Sequence, residues 1–496
     1  MFMPLGKNKK VHFLEVGVML FNSVAFAIFL PIVFIVYWAL PHKFRWPLLL
    51  IASYYFYMSW NAKYVVLILF TTVLSYIAGI LVEKYESAKI KKSILLITLI
   101  ACLGVLFFFK YFNFAFDSLT SLLRLFSIQL NPVTLNVILP VGISFYTFQT
   151  LSYVIDVYRG EVKAEKNFGI YATFISFFPQ LVAGPIERTS NLLPQIKSKK
   201  QFNYDNATYG LKLMAWGYFK KMAVADVLAT YVDKVYSNLG SMTGFDYAMA
   251  IVFFTIQIYC DFSGYSDIAI GTAKILGIDL MTNFRSPYFS KSIKEFWSRW
   301  HISLSSWFKD YVYIPLGGNR CKRSRSYLNL LITFLVSGLW HGANWTFVMW
   351  GGVHGVLQII EKQCDGALKK FRGKNKITKW IAVVIIFVIC NLAWVLFRAD
   401  NLHDALFVVY HAVVDLKNPS LYFHSNCGIG KSVLLKITAT FMLLGVYDYF
   451  SLQTDVIKWV SNQKLIIRWS IYVILILMIM INSPVNNQAA FIYFQF

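Results

Sequence analysis

Long apolar runs separated by short basic or turn-forming stretches set the plan of this chain. The clearest runs occupy residues 16–41, 64–82, 93–109, 125–155, 167–186, 247–278, 326–360, 380–397, 433–447 and 466–481, with a shorter one at 46–60. A helix needs roughly 20 apolar residues, each rising about 1.5 Å, to cross about 30 Å of hydrocarbon. Each run therefore predicts a crossing helix, the longest predict a broken or double one, and about eleven to thirteen spans follow. The first run continues into Tyr37-Trp38-Ala39-Leu40-Pro41 without a small-residue cleavage site, so it is expected to stay in the protein. Residues 1–18 read as an N-terminal extension, with Met19 as an alternative start, and residues 19–496 as one transmembrane domain.

Composition agrees with that pattern. Of the 496 residues, 57% are hydrophobic, 18% aromatic and only 14% charged. Soluble chains carry about 25% charged residues, so a soluble protein is excluded and the fold class is an all-α polytopic membrane protein. Lys and Arg number 47 against 24 Asp and Glu. In a soluble chain that imbalance would raise nucleic acid as a partner. Here the cations cluster in short loops at 84–92, 197–200, 320–325 and 362–376, where cytoplasmic loops and anionic headgroups favour them. No nucleic-acid partner is expected. The six cysteines are scattered, with no C-x-x-C pair and no His at metal spacing, so no metal site is expected either.

Polar groups inside apolar runs are the candidates for chemistry, because burying them in lipid is costly. Of the eight histidines, His12, His42, His403, His411 and His424 lie near segment ends or in polar loops. His341 and His354 fall in the run 326–360, which as one straight helix would measure about 52 Å. That is too long for one crossing, and Gly342-Ala343-Asn344 is the natural break. Two legs of about 23 Å each would leave the turn below the far headgroups. Non-helical backbone at that depth must be buried in protein or line a cavity. Trp340, His341, Asn344 and Trp345 would form the wall. From position alone, His341 reads equally as a proton acceptor or as a structural histidine bonded to a carbonyl. His354, within Gly351-Gly352-Val353-His354-Gly355, reads as a packing site between small residues.

His301 lies in the segment 296–310. Read as one helix, that segment puts Trp297, Trp300, His301, Leu304, Trp307 and Phe308 on one face and Arg299, Ser303, Ser306 and Asp310 on the other. An interfacial helix explains the tryptophans but not a histidine among them. Arg299 and Asp310 are expected to be structural, each paired with a charge elsewhere. Asp261 and Asp267 directly follow an apolar run. Ion translocation is one use for such a pair, and fixing an Arg from another helix is the favoured one. The H-x-x-x-x-D motif of soluble-type glycerolipid acyltransferases is absent, as is a G-x-S-x-G elbow, and the glycine that a phosphate-binding loop ending at Lys431-Ser432 would require is Ser425.

Four ordered motifs carry a resemblance. They are Phe177-Phe178-Pro179-Gln180-Leu181-Val182-Ala183-Gly184-Pro185-Ile186, Asp261-Phe262-Ser263-Gly264-Tyr265-Ser266-Asp267, Trp300-His301-Ile302-Ser303-Leu304-Ser305 with Asp310-Tyr311-Val312-Tyr313-Ile314-Pro315-Leu316-Gly317-Gly318, and Leu339-Trp340-His341-Gly342-Ala343-Asn344-Trp345-Thr346-Phe347. Together they resemble the membrane-bound O-acyltransferase (MBOAT) family, in its bacterial alginate O-acetyltransferase branch. The resemblance implies a ring of tilted helices with funnels from both membrane faces meeting at a histidine. It implies His341 as the catalytic histidine and His301 as its assistant, with Ser298 and Lys309 standing where this branch often has arginine. Trp297, Trp300, Ser303, Asn344 and Trp345 become candidate substrate-binding residues, and Arg299, Asp310, Asp261 and Asp267 orienting ones.

The implied reaction moves an acyl group from a thioester to a hydroxyl. A histidine suits it, because an alcohol is a weak nucleophile until a positioned base takes its proton. His301 or Asn344 would donate to the carbonyl oxygen as it becomes negative. No resident cofactor is expected. Acetyl-CoA is the implied donor, approaching a basic face near 320–325, with an acyl carrier protein as the alternative. The implied acceptor is an exported cell-envelope polysaccharide such as alginate, peptidoglycan or cellulose, reached through an extracytoplasmic acetyltransferase partner, and the implied location is the bacterial cytoplasmic membrane. Two rivals stand beside this reading: a D-alanyl transferase of teichoic acid in the same family, and a polysaccharide or ion transporter built on Asp261 and Asp267.

Overall fold

The computed structural model describes residues 19–129, 131, 133–182, 184–419, 424–483 and 491–492, so the extension at 1–18 lies outside the described residues. Among the described residues every regular element is helical, and the chain is an all-α polytopic membrane protein. The first four helices are α1 (Val24–Ala39), α2 (His42–Asn61), α3 (Val65–Lys84) and α4 (Ala88–Leu106). A wider π turn, Phe107–Tyr111, carries α4 into α5 (Phe112–Arg124). Among the described residues six helical runs are long and apolar enough to cross a membrane: His42–Lys84, Ala88–Arg124, Gly244–Ile275, Lys376–Arg398, Lys431–Ser451 and Leu465–Asn482. These runs are not a count of crossings to set against the eleven to thirteen spans read from the apolar pattern, since His42–Lys84 holds both α2 and α3 and Ala88–Arg124 both α4 and α5.

Two of the apolar runs depart from the straight spans expected. The run 125–155 is not one helix. Helix α5 stops at Arg124, and α6 (Ile143–Arg159) starts only after a non-helical stretch. Gly142 ends that stretch at φ 73, and a Cβ there would lie 2.7 Å from the Leu181 carbonyl oxygen, so no other residue fits the turn. The run 167–186 is also broken, into α7 (Phe168–Ser176) and the single turn α8 (Phe178–Leu181), with Phe177 non-helical between them. Broken backbone at membrane depth needs protein partners. Here Ser53 Oγ accepts from Phe178 N at 3.0 Å and Gln149 Nε2 donates to Phe174 O at 2.7 Å.

The remainder surrounds one long buried helix. Helices α9 (Thr189–Lys197), α10 (Tyr204–Tyr218) and α11 (Asp226–Tyr236) precede α12 (Gly244–Ile275). A Cβ on Gly217 would lie 2.7 Å from the Gly264 carbonyl, and one on Gly210 2.6 Å from that of Gly271. Small residues thus let α10 and α12 touch backbone to backbone, the usual means of tight association where lipid supplies no hydrophobic drive. Two short helices, α13 (Ile293–Arg299) and α14 (Ile302–Phe308), lead to the hairpin of α15 (Arg323–His341) and α16 (Trp345–Gln363). Helices α17 (Asp365–Gly373), α18 (Lys376–Arg398), α19 (Leu402–Val414), α20 (Lys431–Ser451), α21 (Val456–Ser461) and α22 (Leu465–Asn482) complete the fold.

Candidate functional site

His341 is the last residue of α15, and the helix breaks where the sequence places the break: Gly342 is extended and Asn344 caps α16. Each leg holds 19 residues, about 28 Å, longer than expected because both helices run past the uncharged stretch. A Cβ on Gly342 would sit 2.2 Å from the Phe347 ring. The Asn344 side chain accepts from Thr346 N at 3.1 Å and donates to the Asp400 carbonyl at 2.8 Å. His341 is 2% exposed. The rings of Trp340, Trp350 and Phe397 stand 5.0, 5.1 and 5.2 Å from it, centroid to centroid.

The segment 296–310 is not the single helix expected. It breaks at Trp300 and His301, and His301 adopts the left-handed conformation at φ 43. Backbone pairing imposes the break: Arg285 N donates to Arg299 O at 3.0 Å and Ile302 N to Asn283 O at 2.9 Å. The tryptophans therefore do not share one face. Trp297 Nε1 donates to His354 Nδ1 at 3.3 Å, Trp300 packs on Trp394 at 4.8 Å, and Trp307 stacks on Phe148 at 3.7 Å.

His301 is fully buried. Its Nδ1 lies 3.0 Å from Asn283 Oδ1, which also accepts from Ser303 N at 3.3 Å and Ser303 Oγ at 3.0 Å. A backbone N–H can only donate, so Oδ1 is the acceptor and His301 Nδ1 carries the proton. The Trp340 ring lies 6.2 Å from His301 and 5.0 Å from His341, so one indole joins the two imidazoles. Ser303 Oγ also accepts from Ile186 N at 3.0 Å, tying the Pro179 to Ile186 motif to the same place.

The other expected residues stand further out. Trp345 is 55% exposed, with Nε1 donating to Ser118 Oγ at 3.2 Å. Arg299 pairs with Glu295 at 2.6 Å, and Asp310 with Arg188 at 2.7 Å. Asp261 and Asp267 are held by lysines rather than by an Arg. Lys221 reaches Asp261 at 2.6 Å and Asp226 at 2.7 Å, and Lys220 reaches Asp267 at 2.6 Å. Arg320, Lys322, Arg323 and Arg325 are exposed, beside the turn at Gly317 and Gly318.

Sequence reasoning missed Asn283, which sets the His301 tautomer, and Lys110, whose Nζ lies 2.7 Å from Trp340 O and 3.1 Å from His341 O. Lys110 had a visible signal, one cation immediately beyond the run 93–109. Asn283 had none, since only the tertiary fold brings it to His301.

The sequence model of the MBOAT, membrane-bound O-acyltransferase family matches residues 166–397, a stretch that contains both histidines. The chain is 38% identical to "Probable alginate O-acetylase AlgI" of Azotobacter vinelandii over 436 residues, covering 86% of this chain and 85% of that one. The protein of the same name from Pseudomonas aeruginosa is 41% identical, over 78% of this chain and 73% of its own. "Peptidoglycan O-acetyltransferase" of Helicobacter pylori is 35% identical over 98% of this chain and 99% of its own. These similarities establish that the chain belongs to the membrane-bound O-acyltransferase family and is an O-acyltransferase.

Proposed function

We propose that this protein takes acetyl groups from a cytosolic thioester, acetyl-CoA, and delivers them through the bacterial cytoplasmic membrane for O-acetylation of an exported cell-envelope polysaccharide. The observation that carries the reading is the seating of His341 at a helix break, enclosed by aromatic rings and joined to His301 through Trp340. The relatives named alginate O-acetylase and peptidoglycan O-acetyltransferase match 86% and 98% of this chain, against 54% for "Teichoic acid D-alanyltransferase" of Bacillus subtilis, which favours acetyl over D-alanyl transfer and a glycan as final acceptor. An extracytoplasmic acetyltransferase partner completes delivery.

In the proposed reaction, His341 takes the proton of the acceptor hydroxyl as its oxygen bonds to the acyl carbon. The carbon–sulfur bond of the tetrahedral intermediate then breaks, and the proton passes to the departing thiolate. His301, whose Nδ1–H is spent on Asn283 Oδ1, does not supply the oxyanion donor in this tautomer. The Asn344 amide already donates to the Asp400 carbonyl. Trp350 Nε1–H, buried in a ring that packs on His341 and without an acceptor among the described residues, is the donor left for that role. Excluding water from such a site protects the thioester from hydrolysis. The exposed cations at 320–325 suit a polyanionic donor.

His341→Ala is expected to abolish transfer of radiolabelled acetyl to the exported glycan while the variant remains folded and inserted. Wild-type labelling by that variant would refute the assignment. Supplying acetyl-CoA and an acetylated carrier protein in turn to membranes identifies the donor.

A further inference from the structure

Lys110 sits on the π turn between α4 and α5, far in sequence from His341 and outside the residues 166–397 matched to the family. Its ammonium donates to the carbonyls of Trp340 at 2.7 Å and His341 at 3.1 Å. It also stands 5.9 Å from the ring centroids of Tyr111 and Trp340. Among the described residues it meets carbonyl oxygens and aromatic faces, and no carboxylate.

We infer that Lys110 is a positioning residue of the acyl transfer: by capping the carbonyl end of α15 it fixes the backbone that carries Trp340 and His341. The inference rests on the proposed role of His341. Helix α15 stops where its chemistry must happen, and a helix end leaves carbonyls without N–H partners. The following backbone does little to help, since Gly342 N reaches Gly338 O only at 3.5 Å. Within a membrane no bulk water serves those carbonyls, so a protein donor must. A cation is the strongest donor for the negative end of a helix dipole, and that dipole offsets part of the cost of an ammonium in this setting. The π turn supplies the aim. One extra residue in the turn shifts the register of α4, as such bulges do at functional sites.

The test uses the full-length protein in membranes, with acetyl transfer measured over a range of acetyl-CoA concentrations. Lys110→Met is expected to lower kcat roughly 10- to 100-fold, the scale of a reacting group displaced by about 1 Å, with KM unchanged. Lys110→Arg, which keeps charge and donors, is expected to recover most of the rate, and both variants should melt like the parent in detergent. An unchanged kcat in Lys110→Met, a change confined to KM, or equal losses of rate and melting temperature in both variants would each overturn the inference. His341→Ala run alongside separates the two claims. Activity in that variant sinks the proposed function, whereas an inactive His341→Ala with a fully active Lys110→Met sinks only the role of Lys110.

Discussion

Glu187 shows burial acting on a single titrating side chain outside the spans. It follows Ile186, is fully buried, and accepts from Met281 N at 2.5 Å and Asn191 Nδ2 at 2.6 Å. Burial pushes its carboxyl up from 4.5 to about 7, outweighing the hydrogen bonds that favour the anion. Between those values the folded chain holds a proton that the unfolded chain has released, so raising the pH weakens folding. The contribution is fully present below 4.5 and is lost as the pH rises through about 7. It amounts to on the order of 3 kcal/mol. The melting temperature in detergent should therefore fall relative to that of Glu187→Gln as pH rises from 4.5 to 8, and parallel curves would contradict the account. The burial of a single polar residue was legible where it falls within or directly after an apolar run, as with His341 and Asp261. Single residues were illegible where the role depends on a partner distant in the chain, as with Asn283.

At the scale of elements, the α15–α16 hairpin makes the site possible, and close helix contact makes the hairpin. A Cβ on Gly338 would lie 2.2 Å from the Phe347 carbonyl oxygen, and one on Gly351 equally close to that of Phe334. Backbone cannot yield as a flexible side chain can, so Gly338→Leu should cost about 3 kcal/mol or more and abolish transfer. Gly352→Ala, whose nearest atom is Leu335 Cδ2 at 3.5 Å, is the tolerated control. Detergent melting and acetyl transfer of the two variants check the contrast; a Gly338→Leu protein as stable as the control would remove the packing argument. The break in this hairpin was readable because Gly342-Ala343-Asn344 interrupts an otherwise apolar run. The break at His301 was not, because tertiary pairing with residues 283–285 imposes it against a locally helical pattern. Nor does hydropathy distinguish a crossing helix from apolar non-helical backbone, which is why 125–155 read as a span.

Across the whole molecule, the site leans on a buried charge cluster that joins three helical segments. Lys220 and Lys221 lie on the π turn Phe219–Ala225 that follows α10, Asp226 opens α11, and Asp261 and Asp267 sit on α12. Ile492 N adds a hydrogen bond to Asp261 at 2.7 Å, drawing the distant C-terminal segment to the same point. The cluster adjoins the chemistry, since Phe262, next to Asp261, sets its ring 4.4 Å from His301. Lys221 is the keystone, being shared by Asp226 and Asp261, both buried. Removing one partner of a buried pair costs about 3 to 5 kcal/mol, because the charge left behind has neither water nor a counterion. Lys221→Met should therefore lower the melting temperature and take acetyl transfer down with it. Adding Asp226→Asn and Asp261→Asn removes the stranded charges, and a purely structural cluster then recovers both stability and transfer. Acids that took part in the transfer itself would behave otherwise: the triple variant would fold but stay inactive. Melting curves and labelled-acetyl assays on the single and triple variants thus decide whether these acids only hold the helices around His301 or also serve the transfer.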